Sequence, residues 1–146
     1  MARKSRTPAK SQPKPAASHY PAFRSQCPVA SALDLLGDKW TLVVLRTIFA
    51  GRSRYAELAD IPERIATNIL ADRLDKLERY GLIGKTAYSE TPLRHRYWLT
   101  EKGADLLPVL QALAAWSARH IPDRWASPAW FTGGAPVQFY PGRRQE

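Results

Sequence analysis

Thr67, Asn68 and Ala71 stand at helical spacing, and a basic cluster, Arg94-His95-Arg96, follows them. These residue types suit contact with duplex nucleic acid. An Asn carboxamide can pair bidentately with adenine, and an Ala or Thr methyl can touch the methyl of thymine. Cationic side chains on a projecting element suit phosphates or the minor groove. Other candidate phosphate contacts are Arg64 just ahead of the triplet, Lys76 beyond it, Lys85 before the Arg94 cluster, and Arg52 with Arg54 beside Tyr55.

Nothing equally ordered points to catalysis. Cys27 is the single cysteine, which excludes an internal disulfide framework and a cysteine-rich zinc site. His19, His95 and His120 are far apart in the chain, without paired histidines at helical intervals. There is no Gly-rich phosphate loop or nucleophile elbow to make Cys27 and a histidine a nucleophilic pair. No enzyme activity, cofactor or metal is expected.

The bulk properties agree with a polyanionic partner. The 146 residues carry a formal net charge of +9 and are 45% hydrophobic, enough for one domain with a modest core. The excess charge is uneven: +5 lies in the first 20 residues, +3 in residues 21–120 and +1 in the last 26. No run approaches the ~18 apolar residues of a membrane span. The basic N-terminus lacks the apolar stretch of a signal peptide. The chain is therefore expected to be soluble, cytoplasmic and nucleoid-associated, with no membrane partner.

Residues 1–20, rich in Lys, Arg, Pro, Ser and Ala, read as a disordered basic tail. Pro28 opens a first helix that ends at Gly37, with Val29, Leu33 and Leu36 on one face. Asp38 is a good N-cap for a second helix through Phe49, apolar nearly all round and so the buried centre. A short helix spans Tyr55 to Ala59. From Ile65 to Tyr80, Ile69, Leu70, Leu74 and Leu77 fill one arc, with Thr67, Asn68, Ala71, Asp72, Asp75, Glu78 and Arg79 opposite; Gly81 ends the helix. Arg73 projects into the apolar arc and reads as a packed or paired structural arginine. Leu82 to Tyr88 reads as a strand, Ser89 to Pro92 as a turn, and Arg94 to Leu99 as the returning strand. Thr100 can cap a final long helix, in which Pro108 predicts a kink or displaced start. Residues 121–146 carry prolines and glycines that forbid regular structure. Their Trp125, Trp130, Phe131, Phe139 and Tyr140 predict an extension packed back on the domain or on a partner chain.

Helices feeding an amphipathic helix and then a β-hairpin are winged helix-turn-helix order, a mainly α (α+β) fold. The helix lies in the major groove and the hairpin beside it. Asp72, Asp75 and Glu78 would be repelled by phosphates, so the N-terminal end of the helix is the expected reader.

An ordered set of motifs then narrows the reading. It comprises Cys27-Pro28-Val29, Leu36-Gly37-Asp38-Lys39-Trp40-Thr41, Tyr55-Ala56-Glu57-Leu58, Leu74-Asp75-Lys76-Leu77-Glu78, Gly81-Leu82-Ile83 and Tyr97-Trp98-Leu99-Thr100-Glu101-Lys102-Gly103. Together these resemble the HxlR-type transcription regulators, relatives of the MarR group, over Cys27 to His120. The resemblance implies a homodimeric winged helix that binds a pseudo-palindromic operator in double-stranded DNA, with steric repression as the default. It implicates the first and last long helices in the dimer, here through Leu33, Leu36, Leu106, Leu110, Leu113 and Trp116. It also implies that Cys27 is a candidate sensor of oxidants or reactive electrophiles, helped by the helix dipole. The chain departs from the family at Ala66, where serine is common, at Asn68, near which a basic residue is frequent, and at Arg96, where an acid is common. Operator sequence therefore cannot be transferred.

Two alternatives stay open at this point. One is a non-specific nucleic-acid-binding or architectural protein driven by its basic tail. The other is a winged helix used only for protein contacts.

Overall fold

The computed structural model describes residues 20–141. The tail expected over residues 1–20 lies outside them, save Tyr20. That ring packs on Tyr80, with 5.8 Å between centroids, beneath the Lys102 ammonium at 4.2 Å.

Helix α1 spans Pro28–Leu36, with Pro28 in its first turn and Cys27 at the N-cap. Helix α2 spans Thr41–Phe49, so it starts later than a cap at Asp38 predicts. Asp38 still does the capping: Oδ1 accepts from the backbone N–H of Trp40 at 2.8 Å and of Thr41 at 3.0 Å. Lys39 and Trp40 form a turn between the cap and the first full helical residue. Val44, Leu45, Ile48 and Phe49 make α2 the centre of the core, as its apolar circumference requires.

Helix α3 covers Tyr55–Ala59 and helix α4 covers Thr67–Arg79. Helix α4 buries Leu70, Leu74 and Leu77 against α2 and the hairpin. Gly81, at φ 74°, ends it in a Schellman closure: Gly81 N–H donates to Glu78 O and Leu82 N–H to Leu77 O, both at 2.9 Å.

Strands β1 (Ile83–Glu90) and β2 (Leu93–Leu99) pair antiparallel, from Ile83 opposite Leu99 to Glu90 opposite Leu93. Strand β1 runs past the Tyr88 limit expected for it, because a β-bulge between Ala87 and Ser89 absorbs Tyr88 and lets pairing continue. Ser53 and Arg54 lie along the other edge of β2. Tyr97 N–H donates to Ser53 O at 2.8 Å, and Arg54 bridges Arg96.

Thr100 caps a short helix, α5 (Glu101–Ala104), accepting from Gly103 N–H at 3.1 Å. Helix α6 (Leu107–His120) follows separately, with Pro108 in its first turn. The single long helix from Thr100 is thus divided. Pro108 has no N–H to give the carbonyl four residues back, and its ring crowds it, so the chain restarts the helix there.

The C-terminal segment corrects the expectation of no regular structure beyond Ile121. A short helix α7 covers Ala129–Thr132, and a 3-10 turn covers Pro136–Gln138. Prolines open both, since a fixed φ suits a first helical turn. The segment packs back on the domain: Phe131 is buried in the core, and Phe139 meets Phe49 edge-on at 5.2 Å. Gln111 Nε2 donates to the carbonyls of Phe131 at 2.7 Å and Gly134 at 3.0 Å.

Candidate nucleic-acid interface

Burial of Leu70, Leu74 and Leu77 turns the opposite arc of α4 to solvent, and Thr67, Asn68 and Ala71 are all exposed there. Two contacts hold this helix in place. Tyr55 Oη donates to Thr67 O at 2.6 Å and ties the start of α3 to the start of α4. Arg73 Nε donates to Asp38 Oδ1 at 2.8 Å and ties the middle of α4 to the cap of α2. Partial burial pushes the Asp38 carboxyl up. Hydrogen bonds from the Thr41 hydroxyl, Arg73 and the N–H groups of Trp40 and Thr41 outweigh it and hold the pKa down at about 2. Arg73 is thus a paired structural arginine, as its place in the apolar arc predicts.

The acidic half of α4 is paired. Asp72 meets Arg73 and, at 3.2 Å, Lys76; Asp75 meets Arg79; Glu78 meets Lys85 of β1 at 3.2 Å. A hydrogen bond from Lys76 is the main cause that lowers the Asp72 carboxyl below its ordinary range. Lys76 and Lys85 are therefore already engaged with carboxylates on the flank of the helix.

The candidate arginines divide into two groups. Arg52 donates to the carbonyls of Glu57 at 3.0 Å and Asp60 at 2.5 Å, so it closes the C-terminal end of α3. Arg54, Arg64, Arg94 and Arg96 are exposed and form no ion pair with a carboxylate among the described residues. Arg64 precedes α4 with φ 57°, a left-handed conformation unusual for a residue with a side chain. Arg94 and Arg96 lie two apart on β2, and His95 between them is half-buried.

Three features escaped the sequence reading. The Arg73–Asp38 pair joins α4 to the residue that caps α2, far away in the chain, which periodicity cannot match. The Ser53–Arg54 strand segment is too short to show alternation. Glu57 fixes it, accepting at Oε2 from Ser53 N–H and Arg54 N–H, both at 2.9 Å, bonds that lower its carboxyl below the ordinary range. The third is Tyr88, whose ring lies 5.1 Å from the Arg54 guanidinium and 5.3 Å from that of Arg96. An acid at position 57 three residues after Arg54 was the available signal for the second; a bulge has no comparable signature.

This arrangement is a helix presented by two others with a hairpin at its end, and a family model described as HxlR-like helix-turn-helix matches residues 35–124, more than half of the chain. The chain belongs to the HxlR-like helix-turn-helix family. It is 40% identical over 87 residues to the HTH-type transcriptional regulator sll1512 of Synechocystis, a match that covers 60% of this chain and 64% of that one. The chain thus spans under two thirds of that relative's length. The HTH-type transcriptional regulator YodB of Bacillus subtilis is 34% identical over 94 residues, covering 64% of this chain and 84% of YodB. The structure of YodB in its reduced form superposes with a TM-score of 0.56 at 31% identity, covering 69% of this chain and all of that one. The redox regulator HypR in its reduced form gives a TM-score of 0.60 at 28% identity, covering 65% and 94%. The HxlR-like match ends at residue 124, so most of the C-terminal segment that packs on Phe49 lies beyond it.

The residues expected at the dimer face are distributed over two helices. Leu33 of α1 and Leu113 and Trp116 of α6 are exposed, joined by Val29 and Val109. Leu36 and Leu106 are half-buried against the core. Leu110, placed at the same face by the family resemblance, instead lies buried in the core, on the side of α6 that packs inward. Cys27 is an exposed free thiol at the N-cap of α1. The nearby Arg24 is paired with Asp34. Among the described residues no helix is long and apolar enough to cross a membrane, and no group of His, Cys, Asp and Glu could hold a metal.

Proposed function

We infer that this chain is a dimeric, sequence-specific DNA-binding transcription regulator, a repressor that covers a pseudo-palindromic operator. The exposed first turns of α4, flanked by arginines without carboxylate partners, carry this reading. Thr67, Asn68 and Ala71 contact base edges in the major groove. Arg64 and Arg94, with Arg54 and Arg96, hold the backbone on either side. The half-site is entered by the N-terminal end of the helix, since the paired acids of its second half would face phosphates otherwise.

Two copies associate through the exposed apolar faces of α1 and α6, with Leu33, Leu113 and Trp116 at their centre. A single chain leaves these side chains in water, and burying them is worth about 25 cal/mol per Å² of apolar surface. Selection of bound fragments from genomic DNA followed by footprinting tests the whole reading. An enriched inverted repeat is expected, with protection of both half-sites. Sequence-independent retention that collapses on deletion of residues 1–19 would instead favour an architectural protein.

Cys27 is the switch of this regulator. Its exposure and its place at a helix N-terminus support that role, as does likeness to YodB and HypR, each solved in more than one redox or chemically treated state. Oxidant or electrophile treatment is expected to release wild-type protein from its operator and to leave Cys27→Ser bound. Equal release of both proteins would remove Cys27 from the mechanism.

A further inference from the structure

We propose that Tyr88 is a positioning residue that gathers the guanidiniums of Arg54 and Arg96 into a seat for one backbone phosphate of duplex DNA. The proposal rests on the DNA-binding reading above. It begins with the bulge: between Ala87 and Ser89, β1 carries one residue more than β2, and Tyr88 is the residue left without a partner. A bulge re-aims the side chain it carries. Here the Tyr88 ring lies 5.1 Å from the Arg54 guanidinium carbon and 5.3 Å from that of Arg96, both within cation–π range.

The two arginines are also bridge partners between the Ser53–Arg54 segment and β2. Residues directly opposite on a sheet have Cβ atoms about 5 Å apart, and like charges placed so are destabilising. No carboxylate among the described residues pairs with either. The negative face of the Tyr88 ring offsets part of this repulsion and leaves both cations exposed. Their donors can then close on an anion, and the planar guanidinium fork matches phosphate oxygens.

Placement selects the anion. Arg54 directly precedes Tyr55, whose hydroxyl is bonded to the carbonyl of Thr67 at the start of α4. Tyr88 also lines a cleft of about 410 Å³ with Tyr55, Arg94 and His95, whereas Arg96 lines a neighbouring one with Arg52 and Ser53. The seat is therefore one residue removed from the tie to the end of α4 that reads bases. A helix lying in the major groove has phosphates at its flank, which makes a phosphodiester of the same duplex the fitting occupant.

The test measures binding of the full chain to its selected operator and to a random duplex across a salt series. Tyr88→Phe, which keeps the ring, should retain the wild-type slope of log K against log salt. Tyr88→Leu should lower that slope by about 0.9, the value for one phosphate, and weaken both duplexes by the same factor. Arg96→Gln should cost less in the Tyr88→Leu background than alone, since the two act as one unit. Tyr88→Thr, suited to an exposed strand, serves as a second ring-less variant with thermal unfolding recorded beside it. A wild-type slope in both ring-less variants, with Arg54→Gln and Arg96→Gln each lowering it, would overturn the positioning role. An unchanged slope in both arginine variants would overturn the seat itself. If the wild-type chain binds no duplex, it is the DNA-binding reading that has failed.

Discussion

Arg73 of α4 donates from Nε to Asp38 Oδ1 at 2.8 Å, joining α4 to the cap of the central helix across 35 residues of chain. The Arg73 side chain is 17% exposed and that of Asp38 32% exposed, so the contact is partly shielded from water. Arg73→Ala should lower stability by about 1–3 kcal/mol, because it leaves Asp38 with a hydrogen-bond deficit in a half-buried place. Chemical denaturation measures it.

The same carboxylate makes stability depend on pH. Its folded pKa, about 2, lies below its ordinary value of 3.8. The stabilisation is complete above the ordinary value and is lost as pH falls through the folded one. Discounted for exposure, it amounts to about 1–2 kcal/mol. The stability gap between wild type and Asp38→Ala, measured by denaturation at intervals from about pH 6 downward, should narrow below about pH 4. A gap constant down to the lowest pH would show that the cap works without its charge.

Arg64 sits at φ 57°, two residues before the N-cap Ala66 of α4. A side chain in this region costs on the order of 1 kcal/mol, which glycine does not pay in the folded state. Arg64→Gly should therefore stabilise the fold slightly, by up to about 1 kcal/mol once the extra chain entropy of glycine is subtracted. It should also weaken operator binding and reduce the salt slope by about 0.9. A wild-type salt slope in Arg64→Gly would show that Arg64 contacts no phosphate.

Trp116 is 57% exposed in the single chain. Trp116→Glu should place a charge in the proposed subunit interface and shift sedimentation toward monomer while the helical circular dichroism stays intact. If variant and wild type sediment alike, association runs through another surface.

Phe131 and Trp125 belong to the same C-terminal segment but differ in burial, at 8% and 83% exposed. Phe131→Ala should cost about 3–5 kcal/mol, as for a core aromatic. Trp125→Ala should change stability by no more than about 0.5 kcal/mol. Equal effects would mean that the segment does not dock on Phe49 and α6 as described.

Local pattern made much of this legible. The 3.6-residue period over Ile69, Leu70, Leu74 and Leu77 located α4 and its exposed face, and Gly81 marked its end. The same reasoning failed where tertiary context decides. Pro108 was visible as a break, but only packing shows that Leu110 turns into the core rather than outward. The prolines of the C-terminal segment read as breakers, yet Pro128 and Pro136 start short helical turns because Phe131 and Phe139 have a core to reach. Arg52 and Arg54 were alike in sequence. Arg52 closes α3 through backbone carbonyls, whereas Arg54 stays at the surface beside Tyr88.

The bulge at Tyr88 also shapes the outer edge of the hairpin. Ser53 and Arg54 shield one edge of β2, but β1 has no second neighbour among the described residues. An open strand edge is a template on which another chain can pair. The extra residue at Tyr88 interrupts the row of hydrogen-bonding groups along β1. Such a break works against edge-to-edge pairing of one hairpin with the hairpin of a neighbouring molecule.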